Sequence, residues 1–215
     1  LESDHQHDLD ILLNTWRNER QSARLKMLSF LDSSEYGEFK QKFNIFLNTP
    51  GAGVQNKTAN QITPSLVCEL APVLIYTRFS EVRAFDSHLS DATIEQLHAL
   101  RIEFKKLRYT IEYFREVLGK TAQDVIADIK KIQDHLGDLN DAQVATQILR
   151  DFIDQWEPRL YNMPIEERPN LEPLVQYLAA RHAERHQLII SFPETWKTIK
   201  RSRFRRNLAQ AVSIL

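Results

Sequence analysis

Cationic side chains recur at helical spacing in the segment between Leu97 and Phe114. At about 100° per residue, one stripe of this segment carries His98, Arg101, Lys105, Arg108 and Tyr109. Like charges one turn apart on a helix repel one another by about 0.2–0.5 kcal/mol per pair. An anion that spans several of these charges relieves the repulsion, because its oxygens accept charge-assisted hydrogen bonds from arginine and lysine. The row therefore predicts a site for a linear polyanion.

The same segment is locally basic in a chain that is not basic as a whole. Residues 97–115 hold five cations, Lys106 and Arg115 among them, and two acids, a balance of 5 − 2 = +3. The formal net charge of the whole chain is −1. Such segregation is typical of an anion-binding surface, and a solvated basic face paired with carboxylates of a neighbouring helix would have the same composition. Residue types alone leave both interpretations open.

Three further groups of basic residues lie at helical spacing, three or four positions apart. They are Arg17, Arg20, Arg24, Arg181, Arg185, Lys197, Arg201 and Arg205. The last three belong to residues 195–206, which hold six cations and no acid. A cationic half at a helix C-terminus also complements the helix macrodipole, so this last group fits an anion contact and a structural role equally well.

The sequence lacks the motifs of the common catalytic and nucleotide-binding classes. No P-loop, HExxH, CxxC or GxSxG pattern occurs. His5 and His7 are two positions apart, which does not place them on one helix face for a shared metal. Asp134, Asp138 and Asp141 are a candidate Mg²⁺ set, but aspartate is also a typical helix-capping residue. We therefore expect no catalytic residue, no resident metal and no cofactor.

Composition favours helices and a reducing compartment. Five glycines are few for a β-sandwich or barrel, which needs many tight turns. No apolar run approaches the roughly 18 residues of a membrane span, and no signal-peptide pattern is present. The single cysteine, Cys68, excludes an internal disulfide framework. We expect a cytoplasmic protein without membrane contacts.

The elements that must position the basic residues are predicted to be about eight helices and no strand. Apolar periodicity and end signals place the helices near 9–31, 35–47, 64–85, 91–119, 121–137, 138–156, 171–190 and 193–212. Asp91 is the expected N-cap of the helix with the basic row. Gly137 is expected to end one helix and Pro193 to begin another, because glycine is typical just past a C-terminus and proline of a first turn.

An internal repeat is indicated by residues that match at an offset of 161 positions. The matched pairs include Arg20 with Arg181, Arg24 with Arg185, Trp16 with Tyr177, Phe43 with Phe204 and Leu47 with Leu208. Any two amphipathic helices share some apolar positions by chance, but matched arginines and aromatics are less generic. The pattern favours a duplicated helical unit.

The basic row is part of a longer motif. It runs His98-x-x-Arg101-x-x-x-Lys105-Lys106-x-Arg108-Tyr109, followed by Ile111-Glu112-x-Phe114. This box resembles the signature of the CHAD family, the conserved histidine α-helical domain. The sequence IQDHLGDLNDAQVA at 132–145 resembles the family's next helix–turn–helix, and TPGAG at 49–53 and the closing segment from Trp196 to Leu208 are also similar. The resemblance covers most of the chain, and the histidine box is its specific part.

The resemblance implies an all-α fold of two helical bundles of the four-helix type, related by pseudo-twofold symmetry. It implies one domain over residues 1–215, with the remainder of a first repeat in about 1–85 and a second repeat in about 86–215. The family has one histidine box per repeat, and this sequence has a single box. At the 161-residue offset the other box would fall upstream of Leu1, so the first repeat is expected to be truncated at its N-terminus.

The resemblance also implies a basic groove between the bundles that binds inorganic polyphosphate without catalysis. The residues implied as phosphate contacts are His98, Arg101, Lys105, Lys106, Arg108 and Tyr109, to which the eight basic residues of the other three groups are added as candidates. A CYTH-type triphosphate-processing enzyme is an expected partner, and polyphosphate granules are an expected location.

Three other functions remain compatible with the residues. They are a helical adaptor for an acidic protein, a metal-dependent phosphohydrolase, and a nucleic-acid-binding protein. The last ranks below polyphosphate because the sequence indicates few exposed aromatic residues on which bases could stack.

Overall fold

Seven α-helices make up most of the part of the chain that the computed structural model describes, residues 10–54 and 66–215. They are α1 (Asp10–Leu31), α2 (Ser34–Asn48), α3 (Val67–Arg83), α4 (Ile94–Tyr113), α5 (Ala122–Tyr161), α6 (Glu172–Lys200) and α7 (Ser202–Val212). Short 3-10 helices lie at Ala84–Ser87, Leu89–Asp91 and Ile165–Glu167. No strand occurs in the described ranges, so the predicted all-α class is confirmed. The predicted helix start at Thr63 and Pro64 lies outside the described residues.

The chain forms two compact units, one of which contains α1, α2 and residues 162–174. Ser33 caps α2, since its Oγ accepts a hydrogen bond from the backbone N–H of Tyr36 at 3.2 Å. Aromatic rings then stack along α2 with centroids 5.8–6.4 Å apart, in the order Tyr36, Phe39, Phe43 and Phe46. No residue of α2 is buried in the structure.

The second unit contains α3, α4, α5, α7 and most of α6, and it has an extensive apolar core. Each of its helices contributes buried side chains, for example Ile75, Phe104, Ile132, Phe192 and Phe204. Burial of one such side chain contributes about 1.5–3 kcal/mol relative to leaving it in water. These contacts fix the rotation of each helix about its own axis, and hence the direction of its polar face.

Beside the basic row, the sequence of α4 has apolar residues at helical spacing, which predicts that this neighbouring stripe faces the core, and the structure confirms it. Its buried members are Leu97, Leu100, Phe104, Leu107, Ile111 and Phe114. The N-cap is Thr93, two residues later in the chain than the predicted Asp91, because Thr93 forms a capping box with Gln96. Thr93 Oγ accepts from the Gln96 backbone at 3.3 Å, and the Gln96 side chain accepts from the Thr93 backbone at 2.8 Å. The helix ends at Tyr113, six residues before Gly119.

The predicted helix end at Gly137 is wrong. α5 runs without interruption for 40 residues through this position, so the predicted helix–turn–helix at 132–145 is one continuous helix. Glycine inside a helix costs about 1 kcal/mol relative to alanine. Leu136 and Leu139 are buried on either side of Gly137 and continue the apolar stripe across it, and their burial outweighs that cost.

The predicted helix start at Pro193 is also wrong, because Pro193 lies inside α6. The buried side chains of Phe192, Trp196 and Ile199 continue the core face of α6 past the proline. His135 on α5 also holds this part of α6. Its Nε2 donates to the Leu188 carbonyl oxygen at 2.8 Å, and in the neutral ring its Nδ1 accepts from the Thr195 hydroxyl at 2.9 Å.

The predicted repeat is not settled by these helices and stays a prediction. The offset of 161 would carry the break between α1 and α2, at Asp32 and Ser33, to Pro193 and Glu194, which lie inside α6. The helix break observed in the second half of the chain lies at Arg201, between α6 and α7. The truncation of a first bundle and the domain division near residue 85 are likewise predictions.

Among the helices of the described ranges, none combines the length and the apolarity that a membrane crossing requires.

Candidate functional site

An open cleft of about 330 Å³ lies between α4 and α5. Its lining consists of Arg101, Lys105 and Arg108 from α4, and Lys130, Gln133, Asp134, Gly137, Asp138 and Asp141 from α5. The two helices run antiparallel, since His98 near the start of α4 contacts Asn140 well into α5. All of these residues belong to the second unit.

The cationic side of the cleft is the row that the sequence predicted. Arg101, Lys105 and Arg108 are spaced i, i+4, i+7, and their neighbours Leu100, Phe104 and Leu107 are buried in the core. Each of the three cations is partly buried. Partial burial lowers the effective dielectric around these charges, which strengthens any interaction with an anion relative to a fully solvated lysine or arginine.

The opposite side of the cleft carries acids as well as a cation. Asp134, Asp138 and Asp141 have the same i, i+4, i+7 spacing as the cationic row, and Lys130 lies one turn before Asp134. The lining therefore contains four cationic and three acidic side chains. The cleft is positive on one wall and of mixed charge on the other, and it lies between two helices of one unit, whereas the family resemblance implies a basic groove between two bundles.

The two walls are not neutralised by direct pairing. Arg101 and Lys105 form no salt bridge with a carboxylate of the described residues. Arg108 does, since its Nη1 lies 3.5 Å from Glu112 Oε1, and its guanidinium lies 4.8 Å from the ring centre of Tyr109. The Arg108 Nε is buried without a hydrogen-bond partner. Two of the three predicted cations thus keep their hydrogen-bonding capacity for a ligand.

His98 lies beside the cleft and does not line it. Its Nδ1 is 2.8 Å from Asn140 Oδ1, and an amide oxygen only accepts, so Nδ1 carries the proton. The Asn140 side-chain amide in turn donates to Asp141 at 3.4 Å. His98 is therefore linked through Asn140 to the acidic wall, one turn before Arg101.

Lys106 and Tyr109, the other candidate contacts in the histidine box, lie outside the cleft lining. Lys106 forms an ion pair with Glu103 at 2.7 Å. Tyr109 is exposed and carries the Arg108 guanidinium on its ring. Neither side chain lines the cleft.

The basic residues of α6 and α7 lie apart from the cleft lining. Arg181 pairs with Glu184 at 2.7 Å, and Arg185 donates to Gln143 at 2.6 Å. Lys197 pairs with Glu194. Arg201 is the N-cap residue of α7, and Arg205 lines a second cavity of about 80 Å³ together with Arg83, Ile199 and Lys200.

Arg17, Arg20 and Arg24 lie on α1, in the first unit, and are exposed. Arg17 donates to Asn14 at 3.3 Å. The structure therefore brings three of the fourteen candidates, Arg101, Lys105 and Arg108, together in one cleft, and all fourteen stay predictions as phosphate contacts.

Sequence reasoning missed Lys130 and Gln133 as parts of the site and gave Gly137 a different role. The available signal was the spacing of Asp134, Asp138 and Asp141, which matches that of the cations. Within the described ranges, no group of three metal-ligating side chains is arranged to hold a metal ion.

Comparison with known proteins gives the family. The sequence matches the CHAD domain over residues 1–150, which is more than two thirds of the chain. The chain belongs to the CHAD family. A search of curated proteins finds no match. The CHAD match includes α4, with the complete histidine box, and all nine residues that line the cleft.

Proposed function

We propose that the chain binds inorganic polyphosphate in the cleft between α4 and α5, and that it is a binding module and not an enzyme. The observation that carries this proposal is the unpaired state of Arg101 and Lys105 in an open, partly buried cleft. Family membership and the intact histidine box support it.

Polyphosphate suits the cationic wall because its charges repeat along an unbranched chain. Arg101, Lys105 and Arg108 present donors at one-turn steps, about 5–6 Å apart along the helix. Successive phosphates bind by charge-assisted hydrogen bonds, and bound counterions are released to the solvent. The affinity should therefore fall steeply as salt is added.

A triple alanine variant tests the cleft directly. Arg101→Ala/Lys105→Ala/Arg108→Ala should weaken binding of long-chain inorganic polyphosphate by about tenfold or more, as measured by titration calorimetry at fixed ionic strength. The reason is the loss of three donors on one wall.

The matched control removes the same amount of charge elsewhere. Arg115, Lys120 and Lys131 are exposed and do not line the cleft. Their triple alanine variant should bind polyphosphate as the parent does. Equal weakening in the two variants would mean that net charge and not the cleft governs binding, and would contradict the proposal.

A metal-dependent phosphohydrolase is the second candidate, because Asp134, Asp138 and Asp141 line the same cleft as the cations. Such an enzyme would hold Mg²⁺ on one or two carboxylates and on the phosphates of its substrate. Incubation with polyphosphate and Mg²⁺ or Mn²⁺ distinguishes the two functions. A binding module releases no orthophosphate above the level of the buffer, whereas steady release that is lost in Asp134→Asn/Asp138→Asn would establish the enzyme.

A further inference from the structure

Gly137 lies inside a helix at a position where nothing in the protein's own structure requires a glycine. It lies in the interior of α5, and its φ is not in the left-handed region that favours glycine. A Cβ built on Gly137 would meet no atom within 4 Å. Neither the backbone conformation nor close packing therefore requires a glycine, although glycine weakens a helix relative to alanine.

The position of Gly137 on the cleft wall is central. One row of α5 runs Lys130, Gln133, Gly137 and Asp141, at steps of three or four residues, and every member lines the cleft. Gly137 is the member of this row without a side chain. The cleft therefore reaches closest to the axis of α5 at this point.

Arg101 lies opposite this opening. The contact between His98 and Asn140 sets the register of the antiparallel pair. Three residues forward along α4 from His98 is Arg101, and three residues back along α5 from Asn140 is Gly137. Arg101 is also one of the two cations of the row that form no salt bridge with a described carboxylate. The space beside Gly137 is thus bordered by an arginine with unused donors.

We propose that Gly137 is a ligand-contact position, at which a phosphate group held by Arg101 occupies the space that a side chain would fill. This inference rests on the proposed function, and it adds a steric determinant to the charged ones. The absence of a side chain lets the phosphate chain lie against the backbone of α5, within reach of Arg101. A larger residue at 137 would push the chain out of that reach.

Substitution at 137 separates helix stability from ligand binding. Leucine, glutamine and alanine are better helix formers than glycine, so Gly137→Leu, Gly137→Gln and Gly137→Ala should each unfold at the parent's temperature or above it. The affinity for polyphosphate, in contrast, should fall in these variants. Gly137→Leu and Gly137→Gln should weaken the affinity for long-chain inorganic polyphosphate by about tenfold, and Gly137→Ala by less, because the lost space grows with side-chain size.

Gly37 provides a matched control, since it is also a helical glycine whose Cβ would meet no atom within 4 Å, and it lies in α2, outside the cleft. Gly37→Leu should leave polyphosphate affinity unchanged. Two large side chains are used at 137 so that a folding defect of one variant, detected by its thermal unfolding, leaves the other to decide.

The outcomes distinguish this inference from the proposed function. If folded Gly137→Leu and Gly137→Gln bind polyphosphate like the parent while the Arg101, Lys105 and Arg108 triple variant does not, the inference is overturned and the cleft remains the binding site. If all of these variants bind like the parent, both fail. Weakened binding in the 137 variants with unchanged binding in Gly37→Leu supports the inference.

Discussion

At the scale of single residues, the state of each cation decides what it can do. Arg101 and Lys105 line an open cleft without a salt bridge to a described carboxylate, whereas Lys106, their neighbour in the sequence, pairs with Glu103 at 2.7 Å. Residue type alone does not distinguish Lys105, which lines the cleft, from Lys106, which does not. Only the rotation of α4, set by its buried stripe, separates them.

Lys130 and Lys131 allow the same distinction to be tested with adjacent residues. Lys130 lines the cleft, and Lys131 pairs with Asp128 at 3.5 Å outside it. Lys130→Ala should weaken polyphosphate binding by about three- to tenfold through loss of one phosphate contact, and should reduce the salt dependence accordingly. Lys131→Ala should change neither quantity. Calorimetric titrations at several salt concentrations check both, and equal effects of the two substitutions would refute the distinction.

Asp86 lies in the 3-10 helix that follows α3, and its carboxylate accepts hydrogen bonds from the C-terminal part of α6. The indole N–H of Trp196 and the ammonium group of Lys200 both donate to its Oδ1, at 2.9 Å each. The hydrogen bond from Trp196, followed by that from Lys200, holds the pKa of the Asp86 carboxyl below its ordinary value. The ionised form is therefore favoured in the folded state.

The hydrogen bonds that the ionised Asp86 carboxylate accepts should make the stability of the protein depend on pH. A carboxyl with a lowered folded-state pKa stabilises the fold above its unfolded pKa, about 4, and this contribution is lost as the pH falls through the folded pKa. Asp86→Asn should lower the free energy of unfolding by about 1 kcal/mol near pH 7. The difference between parent and variant should shrink below about pH 4. Urea unfolding between pH 3 and 7 checks this, and a difference that stays constant with pH would contradict it.

At the scale of elements, apolar periodicity predicts most helices, while the position of helix ends depends on contacts that a sequence does not show. The stripe from Leu97 to Phe114 predicted the buried face of α4, and all its members are buried. Gly137 and Pro193 are typical of helix ends, yet α5 and α6 continue through them. Buried neighbours such as Leu136 and Phe192 outweigh the local preference of a glycine or a proline.

For the same reason, only one of the two walls of the candidate site could be predicted from the sequence. The cationic wall follows from one helix, and its spacing is visible in the sequence. The second wall depends on the register between α4 and α5, which rests on contacts such as that of His98 with Asn140. Aspartates that looked like caps of two short helices became one wall of a cleft once α5 proved continuous.

Gly119 lies at the turn between α4 and α5 and shows how closely that turn packs. Its backbone N–H donates to the Ala211 carbonyl at 3.0 Å. A Cβ at this position would lie 3.3 Å from the Gln210 carbonyl oxygen and 3.4 Å from Ala211 Cα, and would run into the Ile214 side chain. The two backbone contacts are the restrictive ones, because a side chain can rotate away.

Gly119→Ala should therefore destabilise the second unit by about 1–2 kcal/mol, through displacement of the turn from α7. Thermal unfolding followed by circular dichroism measures the effect. Gly37→Ala is the control, since a Cβ there meets no atom within 4 Å and alanine favours the helix. A Gly119→Ala variant as stable as the parent would show that the turn relaxes without cost.

At the scale of the whole molecule, function depends on where charge lies and not on its sum. The chain has a formal net charge of −1, and yet it places four cations around one cleft. The three aspartates in the same lining reduce the local positive potential. Under the proposed function, we therefore expect tight binding only of a ligand with many closely spaced charges, since a single phosphate contacts too few of the cations.

A crystal structure of the chain grown with tripolyphosphate at saturating concentration tests the proposed site. We expect electron density for the phosphates in the cleft, with their oxygens within hydrogen-bond distance of Arg101 and Lys105. Phosphates bound only at another surface, with the cleft occupied by water, would show that this cleft is not the polyphosphate site.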